Sequence, residues 1–531
     1  MDFKRLDHFA RHEGGMSRRL FISYVAGLSS IPWIGLRAEG NGTEVSRFAS
    51  DPFTLGVASG DPNHEGMVLW TKLAPEPLAA NGGMPFDAFS EVTWEVAKDE
   101  AMRNIVQSGT ALATPHLGHT IHLETRGLKP DSWYWYRFRV GEYASPIGRT
   151  RTMPEDSVLA EKLRFAVTSC QNYEQGYYSA YEQMMADEPD LVFHLGDYIY
   201  ESAGRPGRVR QHVGPEIENL EQYRQRHNQY RTDPLLQKMH AHCPWWVTWD
   251  DHEFDNNCAA DISEEEGIDK IAFLKRRAAA YQAYYEMMPL RASACPMGPD
   301  MKLYRRARCG RLADFLVLDT RQYRTDQPNG DRNKPLNEAA FNPNNTMLGR
   351  CQRGWLQQSL LQSESRWNVL AQQVMMGMAN RQTEENEPAI YSMDQWPGYA
   401  TERNDLVRFL QERRISNPVV LTGDIHSNWV NELRVNDLEP EGHPIATEFV
   451  ATSLSSGGNG GAKRSHHDLY LANNPGVKFY NGERGYILCD LTPERWISHY
   501  KVVDDVLKPG GKTTVRASYR VNAGDATVHS A

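Results

Sequence analysis

The chain has 531 residues, of which 40% are hydrophobic and 24% charged, with 41 glycines and 29 prolines; this excludes disorder and leaves room for two to four domains of roughly 150 residues each. A formal charge of -10 excludes a nucleic-acid backbone as the main partner, because such a protein needs a basic face to displace counterions. A small, locally steered anion stays open.

Residues 16–22 read MSRRLFI and lead into the uncharged run 20–36. Paired arginines ahead of a weakly apolar run resemble a twin-arginine export signal. The run holds Gly27, Ser29, Ser30 and Pro32 and falls short of the ~20 apolar residues of a bilayer span, so no stable membrane span is expected in the mature form. Residues 1–38 are therefore expected to be a signal read by the twin-arginine machinery, with a periplasmic or secreted destination. Cys170, Cys243, Cys258, Cys295, Cys309, Cys351 and Cys489 contain no CxxC pair, which excludes a zinc ribbon and a thioredoxin motif.

From residue 45 to 155 short alternating runs such as MVLWTKL, VTWEVAKD and WYWYRFRVG predict a small antiparallel β-sandwich with no chemistry of its own. LKPDSWYWYRFRV resembles the penultimate strands of a fibronectin type III-like domain. Residues 160–505 then alternate apolar strands (163–170, 190–197, 244–251, 314–320, 367–374 and 417–424) with helical segments at 176–188, 218–241 and 268–287. That pattern predicts an α/β domain whose buried sheets are covered by helices. The stretch 219–231 is expected to be a solvated covering helix, 455–461 (SSGGNGG) a flexible loop at the active-site rim, and 506–531 a surface tail.

Several of these strands finish in polar residues: Cys170; Asp197 with Tyr200; Asp250, Asp251, His252 and Glu253; Asp424 with His426. An aspartate after a strand is commonly a turn or capping residue. In open α/β sheets, however, ligands bind beyond the carboxyl ends of strands, so such residues on neighbouring strands converge. Aspartate oxygens suit hard cations, whereas a thiolate and a phenolate suit a more highly charged or softer transition metal. A free tyrosine ionises near pH ~10, so a phenolate ligand argues for a trivalent neighbour. Arg321 and Arg324 follow a strand and could reach a phosphate as forked donors, His194 is expected in the core, and Trp245, Trp246 and Trp249 in the core or a pocket wall.

GDYIY at 196–200 resembles the GDxxY element of purple acid phosphatases and other metallophosphoesterases, WDDHE stands where they carry GNH and an acid, and GDIH where they carry GHxH. With TSCQNYEQGYYSAY, HLGDYIYE, DTRQYRTDQ and LTGDIHSNW, the resemblance is specific to the PhoD alkaline phosphatase/phosphodiesterase family and covers nearly the whole chain. It implies a calcineurin-like metallophosphoesterase core of two packed β-sheets flanked by helices, preceded by the small sandwich. It implies iron(III) at Cys170, Asp197, Tyr200 and His426, and one or two calcium ions, the first reached by Asp197, Asp251 and Asp424, with Asp250 and Asn257 as further ligands. It makes His252 the proton donor or a phosphate contact; Arg321 is expected to bind substrate from its place after the strand 314–320 and not from the resemblance. The chain departs from the purple acid phosphatases in carrying Asp251 and Asp424 where they have Asn and His, and LAQQVMM in place of a histidine-bearing strand.

Charge agrees with this pairing. Ionised Cys170, Asp197, Tyr200, Asp251 and Asp424 bring five negative charges, which two divalent ions leave at -1 and one iron(III) with one calcium balances. The expected activity is that of a secreted alkaline phosphatase attacking phosphate monoesters with a metal-activated water; phosphodiesterase or phospholipase D-type action on the same site is the alternative. A secreted binding protein is disfavoured by His252, and a dizinc hydrolase by the thiolate and phenolate.

Overall fold

The computed structural model describes residues 48–438, 442–463 and 465–531; the expected export signal lies outside them. The chain divides into two compact units, one of residues up to Thr152 with Ile217–Trp245 and Lys275–Lys302, the other of Met153–Glu216, Trp246–Leu274 and Leu303–Ala531.

In the first unit the antiparallel strands Val57–Gly60, Val68–Lys72 and Thr120–Glu124 form one layer. The other layer takes the order Ile105–Ala113, Ser90–Ala97, Trp133–Val140, Tyr143–Ala144, with Gly148–Arg151 also pairing to Trp133–Val140. Alternate side chains point inward, so Val57, Leu69 and Ile121 meet Val92, Val96, Tyr136 and Phe138 in one core. Residues 219–231 depart from expectation. Asn219 and Gln222 cap the helix Leu220–Arg231 reciprocally, yet Arg226 through Arg231 are buried rather than solvated. Asp233, ahead of Pro234, breaks the predicted segment and caps a second helix, Pro234–His242.

The second unit packs two sheets face to face. One runs in the order Asp525–Ser530, Thr513–Asn522, Arg495–Val503, Gly485–Leu491, Leu163–Thr168, Leu191–His194 and then Trp245–Val247. The other runs Arg305–Cys309, Ala313–Val317, Trp367–Ala371, Pro418–Thr422, Ala446–Val450, Asn428–Leu433, Val477–Glu483, Gly460–Gly461, with the strands from Ala313 to Val450 in that order mutually parallel. Phe165 fixes the interface, edge-on at 5.5 Å to each of Phe193, Phe315 and Trp496. The outer face of the second sheet presents Leu316, Leu370 and Val420 to Leu356 and Leu360 of the helix Gly349–Leu361 and Leu406, Val407 and Leu410 of the helix Ala400–Glu412. With both faces covered these strands are buried along their whole length and mostly apolar, as the sequence predicts, with Asp314, Asn368 and Glu448 as buried exceptions. The expected tail is corrected: Thr513–Asn522 and Asp525–Ser530 form a hairpin that extends the first sheet. Alternation there is weak, because the strands are only partly buried. Among the described residues no helix is long and apolar enough to cross a membrane.

Candidate metal centre

Four polar segments come together because strand ends are tied to one another by backbone bonds. Cys170 N donates to Gly196 O at 3.0 Å, Gln171 N to Asp197 O at 3.0 Å and Thr248 N to His194 O at 3.0 Å; Ser169 makes an isolated parallel bridge to Ser453, just past the strand Ala446–Val450. Cys170, Asp197, Asp424 and His426 all take the left-handed backbone, with φ of 55°, 54°, 63° and 54°. For non-glycine residues this conformation is uncommon and costs free energy. It turns each side chain back across its strand end, so strain is concentrated where the ligand types converge.

Donor atoms of Cys170, Asp197 and His426 lie within 4.8 Å of one another, as do those of Asp250, Asp251 and Asp424, and those of Asp197, Asp251 and His252. Asp197 belongs to both sides of the cluster. Tyr200 Oη donates to Asp197 Oδ2 at 2.7 Å and stands 3.3 Å from His426 Nε2. Burial, opposed by Arg321, raises Asp424 to about 6. Burial also pushes Asp197 well above the carboxylate range, with His252 opposing, and it pushes up the Cys170 thiol and the Tyr200 phenol, with the Asp197 charge adding to both. Asp197 Oδ1, Asp250 Oδ2 and Asp251 Oδ1 are buried without a hydrogen-bond partner among the described residues. Buried anions in this number demand cations, so the residues fit a pair of metal ions.

His252 Nδ1 lies 2.8 Å from Glu201 Oε2 and its ring packs against Tyr200 with centroids 4.2 Å apart. Against burial, Glu201 first and then Asp197 and Asp251 hold the imidazole well above its ordinary pKa. Asn257, expected as a ligand through its amide oxygen, donates its backbone N–H to Asp251 Oδ2 at 2.7 Å and its side-chain NH2 to Asp331 at 2.9 Å, so its backbone also positions Asp251.

Arg321, expected from the sequence to bind substrate, lies among carboxylates. It is 1% exposed, and its guanidinium is spent on Asp250, on both oxygens of Asp394 at 3.0 Å and on Asp424 Oδ1 at 3.2 Å. Arg324 Nη2 closes on the same Asp394 at 2.6 Å. The two guanidinium charges therefore balance Asp250 and Asp394, and the five expected ligand charges remain for bound cations.

Three residues went unread in the sequence. Glu253, quoted there without a role, accepts from Asp197 N at 3.0 Å, Asp250 N at 2.7 Å and Tyr198 N, clamping two strand ends; burial lifts it to about 7. Asp394 has no strand-end motif to mark it. Ser456 Oγ lies 2.7 Å from both Tyr200 Oη and Cys170 O, so the loop expected to be flexible is packed onto the centre. His194 is buried against the Tyr198 ring at 5.2 Å, and burial lowers it to about 3, so it is neutral; Trp245, Trp246 and Trp249 are buried as expected.

Two packed sheets with a thiol, phenol, imidazole and carboxylates at their strand ends define a metallophosphoesterase, a metal-dependent hydrolase of phosphoric esters. The PhoD-like phosphatase model matches residues 165–500 and the PhoD-like phosphatase N-terminal domain residues 39–154, so the chain belongs to the PhoD-like phosphatase family. It is 50% identical over 477 residues to alkaline phosphatase D of Bacillus subtilis (strain 168), covering 89% of this chain and 81% of that one. A solved structure of PhoD superposes with a TM-score of 0.88 at 48% identity, covering 91% of this chain and 93% of that one.

Proposed function

We propose that the chain is an exported alkaline phosphatase that hydrolyses phosphate monoesters, with iron(III) held by Cys170, Asp197, Tyr200 and His426 and calcium by Asp197, Asp251 and Asp424, with Asp250 at its edge. The observation that carries this reading is the division of the cluster, thiol and imidazole on one side of Asp197 and carboxylates on the other. Bound there, such a pair supplies an activated water and neutralises charge on the phosphoryl oxygens. The five ligand charges equal those of one iron(III) and one calcium.

The protein's own residues do the rest. Glu201 engages His252 Nδ1 at 2.8 Å, which leaves Nε2 to carry the proton passed to the leaving oxygen. Glu253 and the Arg321–Asp394 pair keep the strand ends in place, so that little reorganisation accompanies binding. Similarity to an alkaline phosphatase supports the monoester as substrate, and the paired arginines of MSRRLFI support export. The diester is the second reading, since the same clamp serves both.

Elemental analysis of the purified protein should find iron and calcium together, and chelation should abolish hydrolysis of p-nitrophenyl phosphate. Zinc without iron would sink the assignment at Tyr200 and Cys170. A rate on bis(p-nitrophenyl) phosphate far above that on the monoester would replace the first substrate with the second.

A further inference from the structure

With Arg321 and Arg324 committed to carboxylates, the centre still borders one basic side chain of a different kind. Arg381 is half-buried and, among the described residues, has no carboxylate within ion-pairing distance; its guanidinium bonds the side-chain oxygen of Gln395, and its Nε is buried without a partner. Gln395 in turn donates to Asp424 Oδ2 at 2.7 Å. Arg381 is thus one amide away from a residue of the metal cluster. Its backbone is held firmly: Arg381 N donates to Ile390 O at 2.8 Å, and Asn380 Oδ1 accepts from Gln382 N at 3.0 Å and Ile390 N at 3.2 Å.

A guanidinium does not lose its proton in a protein, and one taken partly out of water gains most from an anionic acceptor. Burial pulls Arg381 below the usual arginine value despite Tyr470, Asp424, Tyr480 and Asp394 around it, so its charge is under-compensated in the folded protein. A phosphoryl group bound at the cluster would bring the missing anion.

We propose that Arg381, braced by Gln395, is a substrate-binding residue that donates to a non-bridging oxygen of the phosphoryl group, the role expected of Arg321 from the sequence. The proposal rests on the phosphatase reading of the cluster. A positively charged donor at that point favours the dianionic monoester over the monoanionic diester.

The test uses the full, metal-loaded protein with inorganic phosphate as inhibitor and p-nitrophenyl phosphate as substrate. Arg381→Met should raise both the phosphate inhibition constant and KM by about 10- to 100-fold, with kcat changed less and metal content unchanged; Arg381→Lys should recover part of the loss. Arg381→Gln keeps a polar contact to Gln395 and gives the same reading should the methionine disturb packing. An inhibition constant equal to that of the wild type would overturn the proposal. So would a rise that tracks lost metal, since Arg381 would then act through Gln395 on Asp424. A wild-type protein that neither hydrolyses the ester nor binds phosphate overturns the phosphatase reading as well, so the two failures are distinguishable.

Discussion

Tyr200 Oη is crowded by Asp197 Oδ2 and Ser456 Oγ, each at 2.7 Å, and by His426 Nε2 at 3.3 Å. Burial, then the charges of Asp197 and Cys170, hold the phenol protonated, so only a strongly charged cation replaces that proton. On the proposed iron(III) centre, Tyr200→Phe in the metal-loaded protein should lose a visible iron–phenolate absorption and, by analogy with loss of a single ligand or its support, about 100-fold in activity. Ser456→Ala should keep its iron but move that band to longer wavelength, because a phenolate without its hydrogen bond is a stronger electron donor. A band that stays in place would show that Ser456 donates to Cys170 O instead, also at 2.7 Å. That Tyr200 lies beside Asp197 was legible in the sequence from the resemblance of GDYIY to the GDxxY element. Ser456 was not, because a glycine-rich stretch carries no signal of what it packs against.

Between strand and cluster, the turns do the positioning. Gly196 has φ of 110°, and a Cβ there would stand 2.4 Å from Asp250 Cβ and 2.6 Å from Asp250 N. The glycine therefore lets the strand end Leu191–His194 approach the Asp250 backbone closely enough for Glu253 to bond both. Gly196→Ala should destabilise the protein by about 2 to 3 kcal/mol and lower metal occupancy, read by denaturant unfolding and elemental analysis. Gly207→Ala is the control, with φ of 81° but open space around it; it should carry only the backbone cost, about 1 kcal/mol. Equal losses at the two positions would show that backbone strain rather than contact with Asp250 governs Gly196. The strands themselves were plain from their apolar runs. The helix Leu220–Arg231 misled because its polar residues read as solvent-facing, and only packing buries Arg226 to Arg231.

That buried helix has a consequence for the molecule as a whole. Lys72 is 2% exposed, its Nζ 2.9 Å from Asn228 Oδ1, and burial lowers it to about 8 despite Glu286 and Glu221, with Arg224 adding to the fall. Between about pH 8 and its ordinary 10.5 the unfolded chain holds a proton that the folded chain has released. Stability from this residue therefore rises with pH across that window, by about 3 kcal/mol. Lys72→Met should flatten the rise in thermal stability between pH 8 and 10 and stabilise the protein at pH 7. A mutant whose stability follows the wild type at every pH would refute this.

What the sequence determined by itself is what local chemistry encodes: apolar strands, the change of pattern after the sandwich, and the donor types that gather at the strand ends. Spacing along the chain reports a donor but not where an arginine's charge is spent. Tertiary structure decided that Arg321 is consumed by Asp250, Asp394 and Asp424 while Arg381, among the described residues, has no carboxylate partner, that Glu253 and Ser456 face the centre, and that the last residues form the edge of a sheet. These are relations between residues far apart in the chain, and they exist only once sheet pairing and burial have set which charges must be neutralised by which neighbours.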